Sequence, residues 1–292
     1  MSDSASTTVA AAARAVRGRL AAIYPPGEAQ AIVRVIFEYL KGWSAVDLAL
    51  HSDDGLSEFM LGKIGAIEQR LLKHEPIQYI TGEASFFGLR LRVTPDTLIP
   101  RPETAELVDM ALRHCGDRTD LSVLDAGTGS GCIALALARN LRFPQITAID
   151  ISEKALEVAR DNARRLKCRV DFRQADMLRL PAHREEWDVI VSNPPYVCER
   201  EKGAMEANVL DWEPHVALFV PDADPLRFYR ALGRYAASAL RPGGALFFEI
   251  NPDYADGLAK MLREQGLEDV TVSRDMEGRL RFASALKPCR DD

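Results

Sequence analysis

The chain has 292 residues, 47% of them hydrophobic and 27% charged, with a formal net charge of −6. That length suits one large domain or two unequal ones, and the composition is ordinary for a globular protein in water. The acidic balance argues against affinity that rests on a nucleic-acid backbone, which needs a basic stripe, and no apolar run approaches the roughly 18 residues of a bilayer span.

Five cysteines, Cys115, Cys132, Cys168, Cys198 and Cys289, are odd in number and far apart. Neither a disulfide framework nor a paired zinc site is expected; free thiols in a reducing cytosol are. The histidines are scattered without an HExxH pattern, and no metal is expected. From Ser2 to Tyr24 the chain carries Arg14, Arg17 and Arg19 against the single acid Asp3. That composition is shared by transit peptides, but an amphipathic first helix explains the same residues and is the reading adopted; no secretory signal is expected.

After the breaker Pro25-Pro26-Gly27, Ile32, Val35, Ile36, Tyr39 and Leu40 recur at helical spacing. Ser44 followed by Asp47 predicts a capping box opening a short third helix. Met60, Ile64, Ile67 and Leu71 form a further apolar stripe, stopped by Pro76. These stripes predict a small helical domain over residues 1–75. Acids and bases nearly balance up to residue 98, so this region shows no electrostatic preference for nucleic acid. Leu89, Leu91 and Val93 alternate with arginines, a period of two that predicts strand. Gly88 between this run and Ala84-Ser-Phe-Phe87 predicts a hairpin, so 76–97 is expected to be a β-hairpin connector.

From about Pro95 the pattern becomes strand–helix alternation. Strands are predicted over 122–125, 145–150, 170–174, 188–192 and 245–250, with helices over 133–140, 152–166 and 226–240. Such alternation predicts an α/β domain with a mostly parallel sheet and right-handed crossovers. Runs near 270–273 and 280–285, without a long helix between them, are placed to close the sheet as an antiparallel hairpin.

Two strand ends carry chemistry. In Val123-Leu-Asp-Ala-Gly-Thr-Gly-Ser-Gly131 a strand runs into a glycine-rich turn and then an apolar helix. Glycine lets the backbone approach a ligand closely. Dinucleotide enzymes use a similar turn, but Cys132 stands where their later glycine belongs. Asp125 ahead of the turn would repel a phosphate, so a cationic, phosphate-free ligand fits better. Asp150 ends the next strand about 20 residues on, where an acid can accept both hydroxyls of a ribose; its plainer role is capping the helix after Ser152. The two motifs together resemble S-adenosylmethionine-dependent methyltransferases of the Rossmann-like class. That likeness makes Asp125, Gly127, Thr128, Gly129, Ser130, Gly131 and Asp150 cofactor candidates and carries Asp176, after the third strand, toward the adenine.

Asn193-Pro-Pro-Tyr196 ends the fourth strand. If the strand order reverses there, it lies beside the first strand at a switch point, where open α/β sheets bind ligands. Neither proline can donate to a sheet ladder, so the strand stops abruptly and delivers Asn193 and Tyr196 to a fixed place. The Asn193 side-chain oxygen and the Pro194 carbonyl are two acceptors that suit the two hydrogens of a planar NH2 group. The Tyr196 ring offers it a flat face. The nitrogen of an amide or aromatic amine is a poor nucleophile because its lone pair is delocalised. Hydrogen bonds to both its protons raise its electron density and aim it for in-line attack. Positioning contributes on the order of 7–11 kcal/mol, so no strong base is needed. Asn193, Pro194 and Tyr196 are therefore catalytic candidates.

Pro76-Ile-Gln-Tyr-Ile-Thr-Gly82, Phe87-Gly-Leu89 and Leu98-Ile-Pro-Arg-Pro-Glu-Thr104 resemble the release factor glutamine methyltransferases, the HemK/PrmC family. So do Asn193-Pro-Pro-Tyr196, Trp212-Glu-Pro-His-Val-Ala-Leu218 and Asp275-Met-Glu-Gly-Arg-Leu-Arg281, and the likeness runs from about residue 25 to the end. The resemblance implies a class I methyltransferase domain over 98–292 with a mostly parallel seven-stranded sheet, joined by the hairpin to a helical domain that engages the substrate. It implies S-adenosyl-L-methionine as donor, with S-adenosyl-L-homocysteine as product. The acceptor implied is the side-chain amide of the glutamine in the Gly-Gly-Gln loop of peptide-chain release factors, whose methylation modulates translation termination. Cofactor contacts are implied at Gly127, Thr128, Gly129, Ser130, Gly131, Asp150, Met177 and Asn193, and glutamine binding at Asn193, Pro194, Pro195 and Tyr196. A cytoplasmic monomer is expected, without membrane or direct nucleic-acid contact.

The chain departs from the family pattern at Ala105, where a second acid is common, at Asn251, where glycine is, and at Met177, where an aromatic residue is. Leu98-Ile-Pro-Arg-Pro-Glu-Thr104 is expected to wall the cofactor, its plainer reading being a proline-stiffened linker. The nearest rival is a methyltransferase of the adenine amine in DNA or RNA, acting on a flipped base. It would need phosphate-binding charge, and Glu199, Arg200, Glu201, Lys202 and Glu206 are mixed. A protein that binds the cofactor without catalysis is a rival from another class, and the presence of Asp150 and Asn193 argues against it.

Overall fold

Thr8 opens the first helix, α1 (Val9–Leu20), its hydroxyl accepting from Ala11 N at 3.2 Å. Pro26 then begins α2 (Pro26–Lys41), at the first helical position where a missing N–H costs nothing. Gly42 ends that helix in the left-handed region, φ 70°. The Ser44–Asp47 capping box starts α3 (Ala45–Leu50), and Ser57 caps α4 (Glu58–Leu71). Val9, Val16, Leu20, Ile32, Ile36, Phe37, Ile64 and Leu71 meet in one buried cluster. Tyr39, part of the apolar stripe in the sequence, is instead 51% exposed, because the stripe centres on Val33 and Phe37. Residues 77–81, within the stretch expected to be the hairpin connector, form α5 (Ile77–Thr81), with the Thr81 hydroxyl donating back to Ile77 O at 3.0 Å.

In this computed structural model, residues 7–181 and 184–289 are described. Ser2 and Asp3, at the start of the arginine-bearing first segment, lie outside them. The chain forms two compact units, Met1–Gly82 with Ala207–Trp212, and Glu83–Glu206 with Glu213–Asp292.

The second unit opens with the antiparallel hairpin β1 (Glu83–Phe86) and β2 (Leu89–Arg92). Its two-residue turn holds Phe87 and Gly88 at φ 48° and 74°, the twist that matches paired strands. Phe86 and Leu91 are buried with Leu107 and Val123, so the hairpin belongs to the core of this unit. After it come α6 (Pro102–Cys115), β3 (Ser122–Ala126), α7 (Cys132–Asn140), β4 (Gln145–Asp150), α8 (Glu153–Leu166), β5 (Asp171–Gln174) and β6 (Trp187–Ser192). The two-residue strand β7 (Val197–Cys198) pairs in parallel with β8 (Phe219–Val220). The short helices α9 (Ala207–Leu210) and α10 (His215–Leu218) fall between these two strands in sequence. The chain ends through α11 (Arg227–Ala239), β9 (Leu240–Glu249), α12 (Ala255–Glu264), β10 (Glu268–Arg274) and β11 (Leu280–Leu286).

Among the described residues the main sheet has seven strands in the order β10-β11-β9-β6-β3-β4-β5. Strands β3, β4, β5, β6 and β9 run parallel, and β11 is antiparallel to both β9 and β10. Every residue of β3 is buried. Val123 faces a cluster with Leu107, Ala134 and Val189, whereas Leu124 faces another with Tyr229, Leu232 and Phe248. Helices thus cover both faces, as a parallel strand buried along its whole length requires. The consequence is positional: β3 has β4 on one side and β6 on the other, so chain crossovers diverge there and leave a crevice at the strands' carboxyl ends.

Candidate active site

The glycine turn follows β3 directly. Gly127, Gly129 and Gly131 adopt φ of 80°, 54° and 84°, a region that penalises any Cβ. The N–H groups of Gly127 and Thr128 both donate to Ile149 O at 2.9 Å, tying the turn to β4. A Cβ on Gly127 would stand 2.8 Å from Met177 Cε, and one on Gly131 would stand 3.2 Å from Ala159 Cβ. The first glycine keeps the cavity floor open; the last lets α7 and α8 pack closely. Behind the turn Asn162 is fully buried. Its Nδ2 donates to Ser130 O and Arg92 O, both at 2.9 Å, and its Oδ1 accepts from Arg92 N at 2.6 Å.

A cavity of ≈ 330 Å³ opens at the carboxyl ends of β3, β4 and β6. Of the residues singled out from sequence, Gly127, Gly129, Asp150, Asp176, Met177, Asn193 and Pro195 line it. Asp150 accepts from Gly129 N at 2.8 Å and from Ser152 N at 2.9 Å, so its carboxylate bridges the turn and the start of α8. Burial raises its pKa, and these backbone donors pull it down. The cap of α8 is Ser152, not Asp150: its hydroxyl accepts from Ala155 N at 3.2 Å. Asp176 likewise accepts from Leu178 N at 2.9 Å, holding the turn that presents Met177. Ile151, Leu178 and Phe228 supply apolar wall.

Asp125, Thr128, Ser130 and Gly131 stand behind that wall. Asp125 was expected to face the ligand but lies beneath the turn, because β3 is covered on both faces and its side chains cannot reach the opening. Its Oδ2 accepts from the Thr128 hydroxyl at 2.6 Å and from Ala134 N at 3.1 Å. Its other oxygen is buried with no hydrogen-bond partner among the described residues. Burial pushes its pKa up to about 7, against the pull of Thr128 and Ala134.

Asn193 sits where β6 ends, next to β3. The Ser192 hydroxyl donates to Ala126 O at 2.6 Å and clamps the two strand ends together. Asn193 Nδ2 donates to Thr104 Oγ1 at 3.1 Å, and Thr104 donates in turn to Glu249 Oε2 at 2.6 Å. The Tyr196 hydroxyl donates to the other oxygen of Glu249 at 3.0 Å. Pro194 is buried and Tyr196 half-buried, neither among the residues lining the cavity. Asn251, where glycine was expected, donates to Tyr196 O at 3.1 Å and reaches both oxygens of Glu201. Burial raises the pKa of Glu249, while Thr104, Tyr196 and the Arg281 charge lower it. Burial and the neighbouring Glu249 push the Tyr196 phenol up, keeping it neutral.

The stretch expected to wall the cofactor divides. Of its residues only Leu98 lines the cavity, beside Asp96 and Thr97 that precede it; Ile99 N donates to buried Glu213 at 3.1 Å, and Arg101 pairs with the same carboxylate. Thr104 belongs to the Asn193 group. Sequence reasoning passed over Glu249, Glu213 and Asn162 as functional residues. Glu249 carries the signal that marked Asp150, an acid closing an apolar strand, here Ala245-Leu-Phe-Phe248. Among the described residues no group of three or more His, Cys, Asp or Glu can hold a metal ion. No described helix is long and apolar enough to cross a membrane.

Residues 123–210 match the family described as a methyltransferase domain, and residues 11–82 match the PrmC N-terminal domain. In fold, the chain is similar to a methyltransferase from Pyrococcus furiosus, 19% identical, covering 77% of this chain and 99% of that one with a TM-score of 0.52. In sequence, it is 47% identical over 271 residues to a release factor glutamine methyltransferase of Bacteroides thetaiotaomicron, covering 92% of this chain and 97% of that protein. The release factor glutamine methyltransferase of Flavobacterium psychrophilum is 40% identical, over 90% of this chain and 93% of its own. Identity of that order along nearly the whole of both chains means that this chain belongs to the release factor glutamine methyltransferase family.

Proposed function

We propose that the protein methylates the side-chain amide nitrogen of a glutamine in a peptide-chain release factor, the glutamine of its Gly-Gly-Gln loop, and so modulates translation termination. One observation carries the reading: Asn193 and the Gly127 turn, on adjacent strands, line the same cavity. The donor is S-adenosyl-L-methionine and its spent form S-adenosyl-L-homocysteine. When bound, it supplies a methyl group made electrophilic by a sulfonium.

The residues present suit that donor. A Cβ at Gly127 would crowd the space that Met177 closes, and Asp150 faces the cavity with an acid that can accept ribose hydroxyls. Asp176, Met177, Ile151 and Phe228 frame a site for a flat base. Thr128, Ser130, Gly131 and Asp125 hold the turn's shape from behind. Across β3 and β6, the Asn193 side-chain oxygen and the Pro194 carbonyl accept the two hydrogens of the glutamine amide, with Pro195 and Tyr196 fixing its plane. The held nitrogen is aimed in line with the methyl, the arrangement that orientation alone can make productive. It gives up one of its two protons as its bond to the methyl carbon forms and that carbon's bond to sulfur breaks, leaving the neutral thioether of S-adenosyl-L-homocysteine. Neither a carbonyl nor a neutral phenol is a base, so that proton passes to water.

In this reading residues 1–75 engage the release factor, 76–97 connect and 98–292 catalyse, as a cytoplasmic monomer without nucleic acid. The test is incubation with methyl-labelled donor and, in parallel, a release factor, its Gln→Ala version, and DNA. Label in the factor and none in the Gln→Ala version is expected. Label on DNA alone would select the adenine-methylating rival instead.

A further inference from the structure

We propose that Thr104 and Glu249 are positioning residues that decide which end of the Asn193 amide faces the acceptor. The inference rests on Asn193 being the group that holds the glutamine. An asparagine side chain has two ends of nearly equal size, an oxygen that accepts and an NH2 that donates. Presented with NH2 outward, it would meet the glutamine NH2 donor to donor and repel it. Something must therefore fix the flip.

The hydrogen-bond chain does so by proton arithmetic. Thr104 has one hydroxyl proton, and its oxygen lies 2.6 Å from Glu249 Oε2. Both oxygens of Glu249 accept, Oε2 from the Thr104 hydroxyl and Oε1 from the Tyr196 hydroxyl, so the threonine proton points at Glu249. The threonine oxygen is then left only with acceptor capacity, and the group of Asn193 that stands 3.1 Å from it must be the donor, Nδ2. The side-chain oxygen of Asn193 is turned to the other side, where the acceptor is required. Burial raises the pKa of Glu249, against the pull of Thr104, Tyr196 and the Arg281 charge. Arg281 is itself held by Asp275 at 3.2 Å.

The same carboxylate takes the Tyr196 hydroxyl on its second oxygen, so one buried acid orients both polar ends of the Asn193–Tyr196 segment. The participants come from four separate places: Thr104 on α6, Asn193 after β6, Glu249 at the end of β9 and Arg281 on β11. Neither Thr104 nor Glu249 lines the cavity, so their part is exercised through Asn193. This also gives a role to the threonine of Arg101-Pro-Glu-Thr104 and to the arginine closing the Asp275–Arg281 motif, which cofactor binding leaves unexplained.

The test uses the full-length protein with Thr104→Val, which keeps the shape and removes the hydroxyl, and Thr104→Ser, which restores it. Methylation of the release factor by Thr104→Val is expected to show kcat lowered about 10- to 100-fold, with donor affinity within about threefold of wild type and Thr104→Ser close to wild type. A merely structural threonine would not give that split or that rescue. A second measurement needs no acceptor: in protein with 15N-labelled asparagine, the Asn193 side-chain NH2 is expected to be protected from solvent exchange in wild type and Thr104→Ser, and unprotected in Thr104→Val. Near-normal kcat in Thr104→Val, a serine variant as slow as the valine one, or protection that survives in Thr104→Val would each overturn the proposal. A wild-type enzyme that leaves the release factor unlabelled would instead defeat the assignment of substrate, while the exchange measurement would still decide the role of Thr104.

Discussion

Asn193 gains its importance from what surrounds it. The Ser192 clamp behind it and the Thr104 bond beside it leave its side chain little freedom, and such pre-set groups act by orientation. Asn193→Ala is expected to lower methyl transfer about 100-fold or more while weakening donor binding far less. Single-turnover rates set beside donor titrations would check this, and a variant that turns over normally would remove Asn193 from the chemistry. Asn193 and Asp150 are both legible in the sequence, for a physical reason. Each is a polar residue closing a short apolar run, so the strand itself announces where the side chain is delivered. The partner of Asn193 is not legible. Thr104 and Glu249 lie 145 positions apart, and no local pattern records a contact made by the sheet order.

At the scale of elements, the strands are the most readable part, because a strand buried on two faces is a continuous apolar word bounded by turns. The strand beginning at Gln145 follows from that pattern, and β10 and β11 close the sheet as the antiparallel hairpin the sequence predicts. The exceptions have local causes. Residues 77–81 coil into α5 because Pro76 and Gly82 bracket a single turn. β9 begins at Leu240, ahead of the apolar run, since Gly243 at φ 74° and Gly244 carry the chain through an irregular register beside β6. The tie between hairpin and glycine turn was invisible, as it is one asparagine in the middle of a helix. Asn162→Ala would strip partners from Ser130 O and from both backbone groups of Arg92. A loss on the order of 2–4 kcal/mol of stability is expected, since buried polar groups left unpaired are costly. Urea unfolding measures it, and the donor affinity should fall with it because the turn loses its support.

For the molecule as a whole, two buried acids, Asp125 and Glu249, and the half-buried Asp150 all have raised pKa values, chiefly through burial. A carboxyl that holds its proton more tightly folded than unfolded favours the fold most at acid pH. That contribution fades as pH rises, because the unfolded chain ionises first. For Asp125, with its folded pKa near 7, the window runs from about pH 4 to about pH 7. The stability of wild type relative to Asp125→Asn should therefore fall across that window, by at most about 4 kcal/mol. Denaturant unfolding of both proteins at pH 5 and pH 8 checks the sign; a constant difference would mean that Asp125 is ionised throughout.

The pairing of β3 with β6 has a consequence for the reaction itself. If, as proposed, the donor sits on the Gly127 turn and the acceptor on Asn193, the two are held on neighbouring parallel strands, whose separation of about 4.7–4.9 Å is set by main-chain hydrogen bonding. The sheet is in effect the ruler that measures out the gap which the travelling carbon must cross. A substitution deep in the core that spread these two strands by a fraction of an ångström would slow the transfer while leaving every group that touches either ligand unchanged.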